Sequence, residues 1–215
     1  MAKQMSYHTI HQIFSRFQEA EPEPKGELDH TNVYTLVVAV ALSAQATDVG
    51  VNKATKALFE IADTPQKMLD LGLEGLTDHI KTIGLFRQKA KNVMKMSQIL
   101  VEEYGGEVPS SRAALESLPG VGRKTANVVL NMWWDIPAQA VDTHIFRFGN
   151  RSGVAPGKDV VVVERAIEDN IPAEFQRHAH HWMILHGRYT CKARKPMCGT
   201  CLIRDLCEFE DKEYD

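Results

Sequence analysis

Long apolar runs, strand-like alternation and widely distributed cysteine are all missing from this chain of 215 residues. The longest apolar run, Val33 to Leu42, is interrupted by Tyr34 and Thr35 and has only half of the roughly 20 residues that a membrane span needs. The opening MAKQMSYHTIHQ has no apolar core of the kind a signal peptide carries. These two absences lead to the expectation of a soluble cytoplasmic protein without a membrane partner, nucleoid-associated if its source is prokaryotic. No segment alternates apolar and polar residues between hairpin turns, which argues against a β-rich fold, and no period of 20–50 residues suggests a solenoid. With 44% hydrophobic and 7% aromatic residues, the composition is that of a globular protein with one large core or two smaller ones.

Excess positive charge is also missing, since the formal net charge is −3. Nucleic-acid-binding domains are often strongly basic, so the total alone points away from them. Its distribution points back. Residues 205–215 hold six acids and one lysine, and without them the chain has 24 basic and 22 acidic residues, a net +2. Two windows contain no acid at all: 81–95, with Lys81, Arg87, Lys89, Lys91 and Lys95, and 188–204, with Arg188, Lys192, Arg194, Lys195 and Arg204. Such windows are either solvated faces or footprints for a polyanion.

What is present reads as helix. Ile10, Ile13, Phe14 and Phe17 recur at helical spacing, and so do Val93, Met96 and Leu100 in a segment from Phe86 to Tyr104 that stops at Gly105-Gly106. Thr64-Pro65 followed by Gly72 frames a short helix. The valines 160–163 favour a strand, but Glu164 to Glu168 continue without a break, so this segment is also assigned to helix. The expected class is all-α with about ten short helices. Breaks at 19–29 (EAEPEPKGELD) and at Asp135-Ile136-Pro137 divide it into a central domain, 28–136, and a second one made of 1–27 and 137–215.

Three motifs carry chemistry. LPGVGRKTANVV, residues 118–129, puts Pro119, Gly120 and Gly122 ahead of a helix starting near Arg123. Glycines admit positive φ and close approach, and consecutive amides entering a helix form a concavity for an anion. With residues 113–118 as a first helix, this is a helix-hairpin-helix element whose amides from Val121 to Arg123 would face a DNA phosphate. AVDTHIFR, 140–147, makes Asp142 a helix cap by default. Finally, all four cysteines, Cys191, Cys198, Cys201 and Cys207, fall in the last 25 residues with C-x6-C-x2-C-x5-C spacing. One compact thiol segment favours metal ligation over disulfides. Its spacing accepts either structural zinc or an iron–sulfur cluster. The histidines of HAHHWMILHGR have no ligand companion at helical spacing and read as helix and interface residues.

Taken together, LPGVGRKTA, VDTHIFR, LSAQATD (42–48), HGRYTC and the cysteine spacing resemble the endonuclease III family of base-excision-repair enzymes, from about Ile10 to Cys207. The resemblance implies a six-helix barrel domain with a helix-hairpin-helix beside an iron–sulfur cluster domain, with a DNA-binding cleft between them. It implies a monomeric bifunctional enzyme on double-stranded DNA, excising oxidised pyrimidines and then cutting the abasic strand by β-elimination. Carried over by motif, Lys124 is the nucleophile, Asp142 the essential carboxylate, and Cys191, Cys198, Cys201 and Cys207 the ligands of a [4Fe-4S] cluster. Gln45 and Leu85 fill the gap left by a flipped-out base, while Gly120, Val121, Gly122, Arg123, His144 and Lys195 contact DNA. Without the resemblance, Leu85 would be a core leucine. Trp133-Trp134 and the run of valines depart from the family pattern and leave local packing open. Adenine or thymine–guanine mismatch glycosylases share parts of the pattern, but the adenine enzymes lack a lysine at the hairpin. From another class, a non-catalytic DNA-binding module with zinc is the alternative.

Overall fold

The computed structural model describes residues 5–213, so residues 1–4 of the second domain and Asp215 of the acidic tail lie outside it. Among the described residues there is no strand, and no helix is long and apolar enough to cross a membrane. Ten α-helices follow in order: α1 Tyr7–Ala20, α2 Val33–Ser43, α3 Asp48–Ile61, α4 Pro65–Ile80, α5 Phe86–Tyr104, α6 Arg112–Glu116, α7 Arg123–Trp134, α8 Thr143–Ser152, α9 Val160–Asn170 and α10 Gln176–Tyr189. The chain divides into two compact units, Glu27–Ile136 and a second composed of Met1–Gly26 and Pro137–Asp215.

The first unit contains α2 to α7. Its centre is α2, buried nearly all round and starting at a capping box in which Asn32 accepts the Thr35 amide and Thr35 returns a bond to Asn32. Around it pack α3, α5 and α7, with α4 against α3 and α5, and α6 against α7. A hydrogen bond of 2.6 Å between Tyr34 and Ser97 joins α2 to α5 inside the core. Burial pushes the Tyr34 phenol far above its ordinary value, so it stays neutral there.

The second unit is built on aromatic packing. Phe14 and Phe17 of α1 meet Phe148 of α8, Phe175 just ahead of α10 and Trp182 of α10 in one buried cluster. Arg16 clamps both oxygens of Asp205 at 2.6 and 2.8 Å and also donates to the Leu202 carbonyl, so α1 is tied to the cysteine segment. Part of the acidic tail is therefore folded structure: the Glu208 amide donates to the Ser152 carbonyl.

Several local features bear out or refine the sequence reading. Gly72, at φ 76, ψ 167, ends the short helix that Thr64-Pro65 opens, a conformation glycine reaches without strain, and a second helical segment follows it directly within the range of α4. The first helix of the hairpin begins at Arg112, because Ser111 caps it, and shortens to Glu116 ahead of Pro119. The valines are helical despite their β preference: Asp159 accepts the amides of Val161 and Val162, which starts α9, and only Val163 turns into the core.

Candidate functional site

The hairpin turn is assembled from short backbone bonds. Leu118 N–H donates to the Leu115 carbonyl, Val121 N–H to the Leu118 carbonyl, and Ala126 N–H to Gly122 at 2.9 Å to open α7. Gly120 has φ 84, and a methyl group there would stand 3.1 Å from the Asn92 side chain on α5, so both backbone and space require glycine. Gly122 is different. It caps α7 without any side-chain bond, and a methyl there would meet nothing within 4 Å. α1, α2, α3, α4, α6, α8 and α9 all begin with a side chain that accepts a first-turn amide. At α7 no such side chain stands in the way of an anion. Gly122, Arg123 and Lys124 are exposed at this helix start, while Val121 is buried and anchors the turn.

On the same unit, Gln45 and Leu85 both have positive φ, 57 and 58. For residues with a side chain this conformation costs about 1 kcal/mol or more and calls for compensation by surrounding structure. Gln45 follows the end of α2 and Leu85 caps α5; Leu85 is 64% exposed although apolar. It is not a core leucine. The two turns adjoin, since a methyl on Gly84 would lie 3.9 Å from the Gln45 carbonyl. Gln45, Leu85 and Gly120 line one open pocket of about 180 Å³, together with Gln88, Lys89 and Asn92.

Asp142 lies in the other unit. Its Oδ1 accepts the amides of His144 at 2.8 Å and Ile145 at 2.9 Å, which fixes the carboxylate at the start of α8. Beside it, the Arg147 guanidinium donates to the carbonyls of Gly187 at 2.6 Å and Cys191 at 2.8 Å and approaches His144 Nδ1. Gly187 lets α10 come close to α8, as a methyl there would sit 2.7 Å from the His144 carbonyl.

The four cysteines line one cavity whose other walls are mainly apolar, including Phe148, Ile203 and Phe209. None forms a disulfide. Burial, and then the charge of the neighbouring cysteines, pushes the thiols of Cys201 and Cys207 up. Thiolates crowded in such a place need a cationic centre between them, so the donor set fits an iron–sulfur group. Arg151 Nη1 lies 4.0 Å from Cys191 Sγ and bonds the Lys192 carbonyl; its Nη2 bonds Ala193. This holds the exposed loop carrying Lys195. His186 Nε2 stands 3.6 Å from Cys201 Sγ, with burial pushing its imidazole down to about 4. His186 is the helix and interface residue that the sequence reading makes it, whereas Arg147 and Arg151 are not singled out from sequence, where 40 or more residues separate them from their cysteine-loop partners. The spacing of Arg147 and Arg151 on one face of α8 was the available signal.

Comparison with known proteins is consistent with this construction. The model of the HhH-GPD superfamily base excision DNA repair proteins matches residues 38–173, and that of the iron-sulfur binding domain of endonuclease III matches 191–207. The chain is 58% identical over 201 residues to endonuclease III of Haemophilus influenzae, covering 94% of this chain and 95% of that one. Against endonuclease III of Escherichia coli K12 it is 57% identical with the same coverage. A solved endonuclease III–DNA complex, a trapped covalent intermediate with an estranged adenine, superimposes with a TM-score of 0.87 at 43% identity, covering 95% and 96% of the two chains.

Proposed function

The chain belongs to the endonuclease III family, and from that premise we propose that Lys124 and Asp142 carry a two-step reaction on damaged DNA. It is a bifunctional DNA glycosylase of base excision repair, removing oxidised pyrimidines from duplex DNA and then cleaving the abasic strand by β-elimination. The observation that carries the residue assignment is the start of α7: an uncapped, exposed helix N-terminus at Gly122 with Lys124 in its first turn.

A base inside a duplex is out of reach, so its nucleotide must be extruded, at a cost of a few kcal/mol that is smallest for a poorly stacked lesion. Leu85 enters the vacated space as an apolar wedge, and Gln45 offers its amide to the orphaned partner base. The amides of Gly122 and Arg123 hold a phosphate of the strand, while Val121 N–H, engaged by the Leu118 carbonyl, and Gly120 shape the turn and Gly122 leaves room for close approach. His144, at the start of α8, and Lys195, on the cysteine loop, add contacts to the backbone.

With the sugar held there, the neutral Lys124 amine attacks C1′ while the glycosidic bond breaks and the base departs with a proton. Asp142, oriented by two amides, stabilises positive charge on the sugar as that bond lengthens and assists proton transfer afterwards. The sugar ring opens to an imine on Lys124, which acidifies the C2′ proton. Loss of that proton breaks the C3′–O bond and frees the 3′ phosphate. A covalent enzyme–DNA intermediate, as named for the similar complex, is what this route would give here.

The chain is that of a [4Fe-4S] protein, and Cys191, Cys198, Cys201 and Cys207 would hold the cluster. When bound it supplies a rigid crosslink with no open coordination position, so the cysteine loop keeps its shape for DNA contact. The reading takes the protein as a monomer acting on double-stranded DNA in the cytoplasm. A duplex with one oxidised pyrimidine tests the reading: the expected product is a strand cut with a 3′ unsaturated aldehyde, whereas an intact abasic strand would rule out the lyase step.

A further inference from the structure

Lys89 stands in a window of five cations that reads as a basic face, yet it is buried, at 8% exposure. Its neighbours Arg87, Lys91 and Lys95 are exposed. The Lys89 ammonium reaches across from α5 and donates to the Leu42 carbonyl at 3.0 Å. That carbonyl belongs to the last turn of α2, where helix carbonyls lack intrahelical partners and the dipole favours a cation. Two other carbonyls of that turn have partners of their own: Ser43 Oγ donates to Val40, and Ala46 N–H to Ser43. Immediately beyond comes Gln45, held at φ 57. At the other end of the same residue, Lys89 N–H donates to the Leu85 carbonyl at 3.1 Å, and Leu85 is held at φ 58. One residue thus bonds the turns on both sides of the pocket.

We propose that Lys89 is a positioning residue for lesion exposure, bonded through its ammonium to the turn that presents Gln45 and through its amide to the turn that presents Leu85, so that both probes enter the duplex as one unit. This rests on the assignment of Gln45 and Leu85 as gap-filling residues. A cation serving only as a phosphate contact would stand in solvent. Burial instead pushes the Lys89 ammonium below its ordinary value, and a carbonyl is its hydrogen-bond partner. A long flexible side chain stretched to that carbonyl holds two positive-φ turns of non-glycine residues in register. Asn92, one turn further along α5, packs against Gly120, so the same helix also abuts the hairpin.

The test is a double-mutant cycle on base extrusion, read by fluorescence of 2-aminopurine placed beside a lesion in a duplex, with holoprotein that keeps its visible absorbance. Lys89→Met should lower extrusion roughly tenfold, and Gln45→Ala should lower it similarly. Because Lys89 acts through Gln45, the double variant should fall no further than the worse single one. Lys89→Arg, which keeps a donor, should recover most of the loss. Should Lys89→Met fail to fold, Lys89→Gln carries the same cycle. Losses that multiply in the double variant, with Gln45→Ala impaired by itself, overturn the Lys89 role and leave Gln45 standing. No loss in Gln45→Ala overturns the gap-filling assignment, and the Lys89 role with it.

Discussion

The Asp142 carboxylate starts α8 by accepting two amides and is also the proposed electrostatic partner of the sugar, so a substitution there disturbs stability and chemistry together. The two are separable because asparagine caps helices about as well as aspartate, whereas alanine costs about 1 kcal/mol. Asp142→Asn should unfold in urea at nearly the wild-type midpoint, Asp142→Ala earlier, and both should lose base excision by orders of magnitude. Imine formation by Asp142→Asn on a ready-made abasic site should be impaired less than excision. Equal loss in the two assays would refute the electrostatic role. Lys89 marks what a sequence shows at this scale when its register is followed. It precedes Val93, Met96 and Leu100 by four, seven and eleven residues, which puts it on the buried stripe of α5. Its charge suggested surface; its spacing carried the signal for burial.

Among the elements, helices with strong punctuation were legible in advance. Gly105 at φ 62 ends α5 where the pair of glycines stood, and α7 starts at Arg123 after the glycine turn. The valines of α9 show why propensity alone misleads, since an aspartate cap outweighed four β-formers. Trp133 ends up half-exposed on α7 with its ring near His30, a contact that no local pattern encodes. Partners contributed by distant elements were likewise hidden, as with Arg147 and Arg151 around the cysteines. The helix α10 also carries a pH response. Burial above all, aided by charge on His178, pushes His181 from 6.5 down to about 4. The folded chain then binds fewer protons than the unfolded one between those values. Its stabilising contribution is complete above about pH 6.5 and is lost as pH falls toward 4, on the order of 3 kcal/mol in all. Urea midpoints should therefore drop from pH 7 to pH 5, and His181→Gln should remove much of that drop. An unchanged drop would exclude His181 as a source.

For the whole molecule, the net charge of −3 and the search for a DNA-binding face are reconciled by distribution. Asp205 of the acidic tail is held by Arg16, and the exposed cations Lys192, Arg194 and Lys195 stand on the loop that the cysteines and Arg151 fix. Phosphate contacts appear as a salt slope of about 0.9 per neutralised phosphate. Lys195→Glu should weaken binding to duplexes of any sequence and flatten the slope of log affinity against log salt by about 1. A slope equal to that of the wild type would take this loop out of the interface.

The central claim is that Lys124 forms a covalent imine with the sugar. Borohydride reduction during reaction with abasic DNA captures such an imine as a stable protein–DNA adduct, seen as a shifted band on a denaturing gel. The wild-type protein should give the adduct and Lys124→Ala should give none, while still binding the same duplex. An adduct that persists in Lys124→Ala would contradict the account.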